Sequence, residues 1–169
     1  LEHAREVQRG LDKTIATTSE APIFFSKRAL RILGPGEAVE AHADLDPCLD
    51  YEAELAVIIG KAGRDIPLEA VEDYIFGYSV FNDFSARTLQ KQHVQWLRGK
   101  SLDGLSAMGP TVLHRSAALP PLELDIRARV NDEIRQQGNT SQMICPAAEL
   151  LHILSHGMTL AAGDIIATG

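Results

Sequence analysis

The chain has 169 residues, of which 45% are apolar and 23% are charged, as is usual for a globular protein with a hydrophobic core. Its formal net charge of −7 argues against a nucleic-acid partner, because no basic field is present to attract phosphates. No segment is long and apolar enough to cross a membrane, the start lacks a signal-peptide pattern, and the two cysteines, Cys48 and Cys145, are far apart in sequence. We therefore expect a cytoplasmic protein that binds neither nucleic acid nor membrane and has no structural zinc.

The first twenty residues predict a helix over residues 1–11, followed by a polar, threonine-rich loop over residues 12–20. On that helix His3 and Glu6 are neighbours, because residues three apart share a face. A carboxylate beside an imidazole raises the imidazole pKa and orients the ring, which suits a general base. From the spacing alone, however, an exposed helix with an ordinary charge pair is the simpler interpretation. Residues 22–27, rich in Ile and Phe, predict a short buried strand.

The most informative segment is residues 50–60, with the sequence DYEAELAVIIG. Its second half is an unbroken apolar run ending in glycine, which is typical of a buried strand. Asp50, Glu52 and Glu54 alternate along the first half, so a continuous strand would place them on one face. Like charges in a row oppose folding unless a cation neutralises them, and Mg²⁺ and Mn²⁺ prefer carboxylate ligands. The alternative is an edge strand whose acidic start faces water.

The next predicted elements are a helix over residues 67–75 and a strand over residues 77–83 that ends in Asp83. A helical turn is predicted after Ser85, and it places Arg87 and Gln90 on one face. Residues 98–104, RGKSLDG, hold two glycines around Lys100. Glycines allow the backbone to approach a ligand closely, although a surface turn with incidental charges explains the same residues.

The remaining residues indicate an antiparallel sheet with an amphipathic helix. Strict alternation over residues 122–130 predicts a half-exposed strand, and Asn131-Asp132 predicts a hairpin turn after it. Residues 146–156 predict a helix, which is followed by a final strand over residues 164–168. His152 and His156 lie one turn apart on this helix, but we set aside a metal pair because the leucines explain the helix by packing. The predicted fold class is mainly β with inserted helices (α+β).

Three segments, residues 50–60, NDFSAR at 82–87 and RGKSLD at 98–103, together resemble the fumarylacetoacetate hydrolase superfamily. Weaker matches at residues 138–144 and 160–169 follow in the same order. Within that superfamily the chain is similar to the acylpyruvate hydrolase and oxaloacetate decarboxylase group. The similarity covers essentially the whole chain. It implies a mixed β-sandwich roll and one catalytic domain over residues 1–169, with residues 1–20 as a lid and without the family's further N-terminal stretch and C-terminal loop.

The resemblance also implies roles for individual residues. One Mg²⁺ or Mn²⁺ per chain is expected on Glu52, Glu54 and Asp83, whereas Asp50 is expected outside the ligand set. The implied catalytic residues are His3, Glu6 and Lys100. For His3 and Glu6 the resemblance favours a catalytic dyad over an ordinary charge pair. The implied substrate-binding residues are Arg87, Gln90, Lys100 and Thr168.

These roles predict metal-dependent hydrolysis of a C–C bond in a 2,4-dioxo acid, an acylpyruvate or fumarylpyruvate-like compound of aromatic compound catabolism, through a stabilised enolate. Two alternatives remain open. One is a decarboxylase or isomerase of oxaloacetate-like or unsaturated dioic oxo acids, and the other is a catalytically silent metal-binding homologue. Because members of the superfamily are commonly dimers, we also expect a homodimer.

Overall fold

The structure, a computed structural model, describes residues 21–118 and 121–169. Its strands are β1 (Leu49–Asp50), β2 (Ala53–Ile59), β3 (Ile75–Asp83), β4 (Ser85–Ala86), β5 (Ser106–Met108), β6 (Leu113–His114), β7 (Asp125–Val130), β8 (Glu133–Asn139) and β9 (Ile165–Ala167). Its α-helices are α1 (Arg87–Gln92), α2 (Leu97–Lys100) and α3 (Ala147–Ser155), and short 3₁₀ helices cover Leu68–Tyr74, Arg115–Ala117 and Thr140–Gln142. The described residues confirm a mainly β fold with inserted helices.

The main sheet is antiparallel and has the strand order β5-β3-β2-β9, with β6 also paired to β3. The apolar run after Glu54 places β2 at the centre, flanked by β3 on one edge and β9 on the other. Two smaller sheets, β1-β4 and the hairpin β7-β8, complete the strands. The acidic start of β2 therefore lies inside the fold and not on a solvent-facing edge.

The larger core cluster packs the inner face of the sheet against α3 and the first 3₁₀ helix. Its members include Leu55, Val57, Tyr78, Val71 and Leu151. Helices form within both predicted amphipathic segments, residues 67–75 and 146–156. Val71, Leu150 and Leu151 are buried as their apolar stripes predict, whereas Leu68 and Ile153 of the same stripes are exposed. A second cluster of Ala86, Leu89 and Leu105 anchors α1 beneath the site described below.

The hairpin turn at Asn131-Asp132 is confirmed. Both residues have positive φ angles, 49° and 67°, as a two-residue turn between right-twisted strands requires. The strand before the turn, β7, begins at Asp125 and not at Leu122 as predicted. Residues 122–124 are not paired with β8, and the Leu124 N–H instead donates to the Thr140 hydroxyl. No helix among the described residues has the length and hydropathy to cross a membrane.

The buried strand predicted over residues 22–27 is wrong. The segment has no regular secondary structure, and Ile23 is 75% exposed, with Phe24 and Phe25 also exposed. Apolar composition predicted burial, but three of its apolar side chains are exposed, whereas the Lys27 ammonium reaches the buried Asp83.

Candidate metal centre

Glu52, Glu54 and Asp83 form a buried carboxylate group at the junction of β2 and β3. Glu52 directly precedes β2, Glu54 is its second residue, and Asp83 ends β3. The antiparallel register sets Ala53 opposite Asn82, and the Asp83 backbone N–H donates to the Glu52 carbonyl over 2.9 Å. One oxygen from each carboxylate lies within 4.8 Å of the others, although the residues are up to 31 positions apart in sequence.

Two lysines contact this carboxylate group. Lys100, 3% exposed at the end of α2, donates to Glu52 and, over 2.6 Å, to Asp83. Lys27 donates to the other Asp83 oxygen and, over 3.2 Å, to the Phe84 carbonyl. Asp83 is thus held between two ammonium groups, and the region facing the carboxylates carries concentrated positive charge.

Arg87 completes the ionic network from α1. Its Nη2 lies 2.6 Å from Glu52 and 2.8 Å from Asp50, while Nε donates to Asp50 over 2.9 Å. Its Nη1 donates to the side-chain oxygen of Gln90 over 2.9 Å. Asp50 therefore lies behind the arginine, outside the three-carboxylate group, as the family pattern implied.

Close packing of α1 against α2 sets the position of Lys100. A β-carbon added at Gly99 would lie 2.6 Å from the Gln90 backbone, so only glycine permits this approach. The buried Asp46 in turn fixes the start of α1, because its carboxylate accepts from the Leu89 and Cys48 backbone N–H groups over 2.7 and 2.8 Å. Burial alone would raise the Asp46 pKa, but these hydrogen bonds lower it below its usual value.

Burial and like charge perturb the protonation of the site. Burial, with the negative charges of Asp83 and Glu52, raises the pKa of Glu54 to about 7. Burial lowers the pKa of Lys27, even though the Asp83 charge opposes that shift. Burial acts against the charge of Arg87, but Glu52 and Asp50 raise its pKa above the usual value. The Glu54 carboxyl therefore ionises less readily than an ordinary glutamate.

The structure brings most of the predicted site residues together. Lys100, Arg87 and Gln90 adjoin the carboxylate group, and Thr168 lies next to β2, where its backbone N–H and hydroxyl both donate to the Leu55 carbonyl. His3 and Glu6 lie outside the described residues. His152 instead bonds the Ile66 carbonyl through Nδ1, over 2.7 Å, and packs against His156.

Sequence reasoning missed Lys27, because its segment was interpreted as a buried strand. A lysine two residues after the apolar run that ends at Phe25 is the available signal, but nothing local identifies Asp83, 56 positions away, as its partner. The surface-turn interpretation of residues 98–104 fails at Lys100, which is buried.

The donor set fits a hard divalent cation. Three buried carboxylates can each supply one oxygen, which is the ligand chemistry that Mg²⁺ and Mn²⁺ prefer. Among the described residues this is the single group of three or more acidic, histidine or cysteine side chains close enough to share an ion.

The model of the fumarylacetoacetate (FAA) hydrolase C-terminal domain matches residues 1–169. The chain belongs to the fumarylacetoacetate hydrolase family. Among curated proteins, oxaloacetate tautomerase YisK of Bacillus subtilis is 48% identical over 154 residues, which cover 91% of this chain and 51% of the tautomerase. The chain spans about half the length of the curated relatives it matches.

Solved structures of the family have the same fold. A fumarylacetoacetate hydrolase from Exiguobacterium antarcticum is 46% identical, with a TM-score of 0.82 over 90% of this chain and 56% of that one. A 5-carboxymethyl-2-hydroxymuconate delta-isomerase from Mycobacterium smegmatis is 32% identical, with a TM-score of 0.70 over 85% of this chain and 53% of the isomerase. The family is enzymatic and typically metal-binding, and its named members include hydrolases, isomerases and a tautomerase.

Proposed function

We propose that this chain carries a metal-dependent site that converts a 2-oxo acid into its enolate, with hydrolysis of a C–C bond in a 2,4-dioxo acid as the reaction. The observation that carries the proposal is the buried group of Glu52, Glu54 and Asp83 in contact with Lys100 and Lys27. Breaking the C–C bond leaves negative charge on the 2-oxo oxygen, and pre-placed positive charge stabilises it without reorganisation.

The three carboxylates would hold one Mg²⁺ or Mn²⁺, which when bound supplies Lewis-acid charge to the oxo-acid oxygens. Lys100 would bind the substrate carboxylate or the developing enolate oxygen, since its ammonium already lies among the candidate ligands. Lys27 would add a second positive charge on the opposite side of Asp83. Arg87 and Gln90 would line the substrate pocket from α1, and Thr168 from the end of β9.

The hydrolytic step needs a base that removes a proton from water before the water attacks the distal carbonyl. We assign this role to His3, oriented by Glu6, on a lid formed by residues 1–20. In this scheme the proton passes from water to the imidazole. The oxygen adds to the carbonyl carbon, and the bonding electrons of the cleaved C–C bond become the enolate.

A second candidate is oxaloacetate tautomerisation, favoured by the 48% identity to the B. subtilis tautomerase. That reaction moves one proton between carbon and oxygen and needs no attacking water. Decarboxylation and isomerisation of related dioic oxo acids use the same enolate, whereas a catalytically silent homologue would bind the metal and transform none of these acids.

The test is to assay the purified protein on acetylpyruvate, fumarylpyruvate and oxaloacetate with Mg²⁺ or Mn²⁺, and again with chelator. We expect metal-dependent loss of a 2,4-dioxo acid, abolished by chelator and reduced at least about 100-fold by Lys100→Met. Lys61→Met is the matched control, because Lys61 is exposed and lies over the Tyr74 ring. Tautomerisation without hydrolysis would favour the second candidate, and activity that survives in His3→Ala would contradict the assigned base.

A further inference from the structure

The backbone between the two glutamates of the candidate metal centre is held by a side chain from the hairpin. The Ala53 N–H donates to Gln136 Oε1 over 2.8 Å, and Gln136 Nε2 donates to the Ala53 carbonyl over 2.9 Å. A primary amide has the same donor and acceptor as a peptide group. Gln136 therefore pairs with Ala53 as a neighbouring strand would.

This contact occurs where the sheet itself provides no partner strand. On that edge of β2, β9 pairs with residues 56–58, and Thr168 closes the ladder by donating to the Leu55 carbonyl. Ala53 lies beyond that point and is 8% exposed. Buried backbone polar groups left without partners destabilise a fold, so the amide of Gln136 fills a position that would otherwise require another strand.

The other edge of the same short segment is fixed by β3. The Glu52 N–H donates to the Asn82 side-chain oxygen over 3.1 Å, and the Glu52 carbonyl accepts from the Asp83 N–H. With Gln136 on one edge and β3 on the other, the backbone of residues 52 and 53 is restrained from both sides. The directions in which the Glu52 and Glu54 side chains leave the backbone are restrained with it.

We propose that Gln136 is a positioning residue of the metal centre, which acts through the Ala53 backbone to hold Glu52 and Glu54 in ligand geometry. The hairpin β7-β8, which supplies none of the three candidate ligands, is thereby part of the site's support. This inference rests on the proposed metal centre. Outer-sphere supports of this kind typically change metal affinity by about 10- to 100-fold when they are removed.

The test compares Gln136→Met with Gln137→Met. Methionine nearly matches glutamine in length but has no amide, and Gln137 is the exposed neighbour on the same strand. Calorimetric titration with Mn²⁺, well below the melting temperature, should show about 10-fold weaker binding for Gln136→Met and an unchanged affinity for Gln137→Met. In the metal-free protein, hydrogen exchange at the Ala53 amide should be faster in Gln136→Met alone.

A merely structural role would lower the melting temperature of Gln136→Met without changing its Mn²⁺ affinity in the folded state, and that result would overturn the inference. If Gln136→Met fails to fold, Gln136→Asn replaces it. Its amide is one methylene too short to reach both Ala53 groups, so equal Mn²⁺ binding in Gln136→Asn and wild type would also overturn the inference. A wild-type protein that binds no Mn²⁺ would contradict the proposed metal centre itself.

Discussion

At the scale of single residues, the site is a compromise between folding and metal binding. Three carboxylates are buried within reach of one another, and cationic side chains compensate their charge. The effect of this burial is seen at Glu54, where burial together with the negative charges of Asp83 and Glu52 raises the pKa to about 7. A metal ion would relieve the repulsion that the metal-free protein has to tolerate.

Glu54→Gln should separate the contribution of the Glu54 charge to metal binding from its cost to folding. The substitution keeps the shape but removes the charge, so we expect Mn²⁺ binding to be lost in calorimetry. We also expect the metal-free protein to become more stable at pH 8 by up to about 3 kcal/mol in denaturant unfolding. Glu69→Gln, at an exposed position, should change neither quantity. Stoichiometric Mn²⁺ binding in Glu54→Gln would show that Glu54 is not a ligand.

The raised pKa of Glu54 also predicts opposite pH dependences for stability and for metal binding. The folded state holds this proton more tightly than the unfolded state, whose ordinary value is 4.5. This contribution to stability is therefore fully present below that value and is lost as the pH rises through about 7. Metal must displace the proton, so Mn²⁺ affinity should increase over the same range. Titrations at about pH 6 and about pH 8 test this, and equal affinities would contradict it.

At the scale of elements, α1 and α2 hold the cationic side of the site, and Asp46 holds α1. Asp46→Ala would leave the buried Leu89 N–H group, and the Cys48 N–H group, without their acceptor, which should reduce the free energy of unfolding by about 1–3 kcal/mol. Asp46→Asn retains an acceptor oxygen and should lose less. Because hydrogen bonding lowers the Asp46 pKa, this contribution is present above 3.8 and is lost as the pH falls through the lower folded-state value. Equal stability of Asp46→Ala and wild type would contradict the anchoring role.

The elements also show where sequence patterns are sufficient. The apolar run of β2 identifies a buried strand, and the stripes of the two longer helical segments identify most of their buried residues, because period and burial are linked locally. The prediction for residues 22–27 is wrong, and the local pattern of residues 98–104 leaves a surface turn open, because the roles of Lys27 and Lys100 depend on contacts with Asp83 and Glu52, distant in sequence. The pairing of Gln136 with Ala53 left no local signal either, since nothing in an alternating strand marks one polar residue as a partner for another strand's backbone.

At the scale of the whole molecule, the described surface carries several exposed apolar side chains, among them Phe76, Val80, Val130 and Ile134. A second copy of the chain that packs over such side chains would remove their apolar surface from water. We predict a homodimer, detectable as twice the monomer mass in size-exclusion chromatography with light scattering and stable on dilution. A monomer mass at every concentration tested would refute this.

Crystals soaked with Mn²⁺ would show whether Glu52, Glu54 and Asp83 together bind a divalent cation. Anomalous diffraction at a wavelength where manganese scatters should give one strong peak per chain between the three carboxylates. Oxygen distances should be near the roughly 2.1–2.2 Å expected for hard-cation ligands. Lys100 should then have moved off Glu52 and Asp83 to face the open coordination positions. A peak located elsewhere, or none in crystals that diffract well, would show that these three carboxylates are not a metal site.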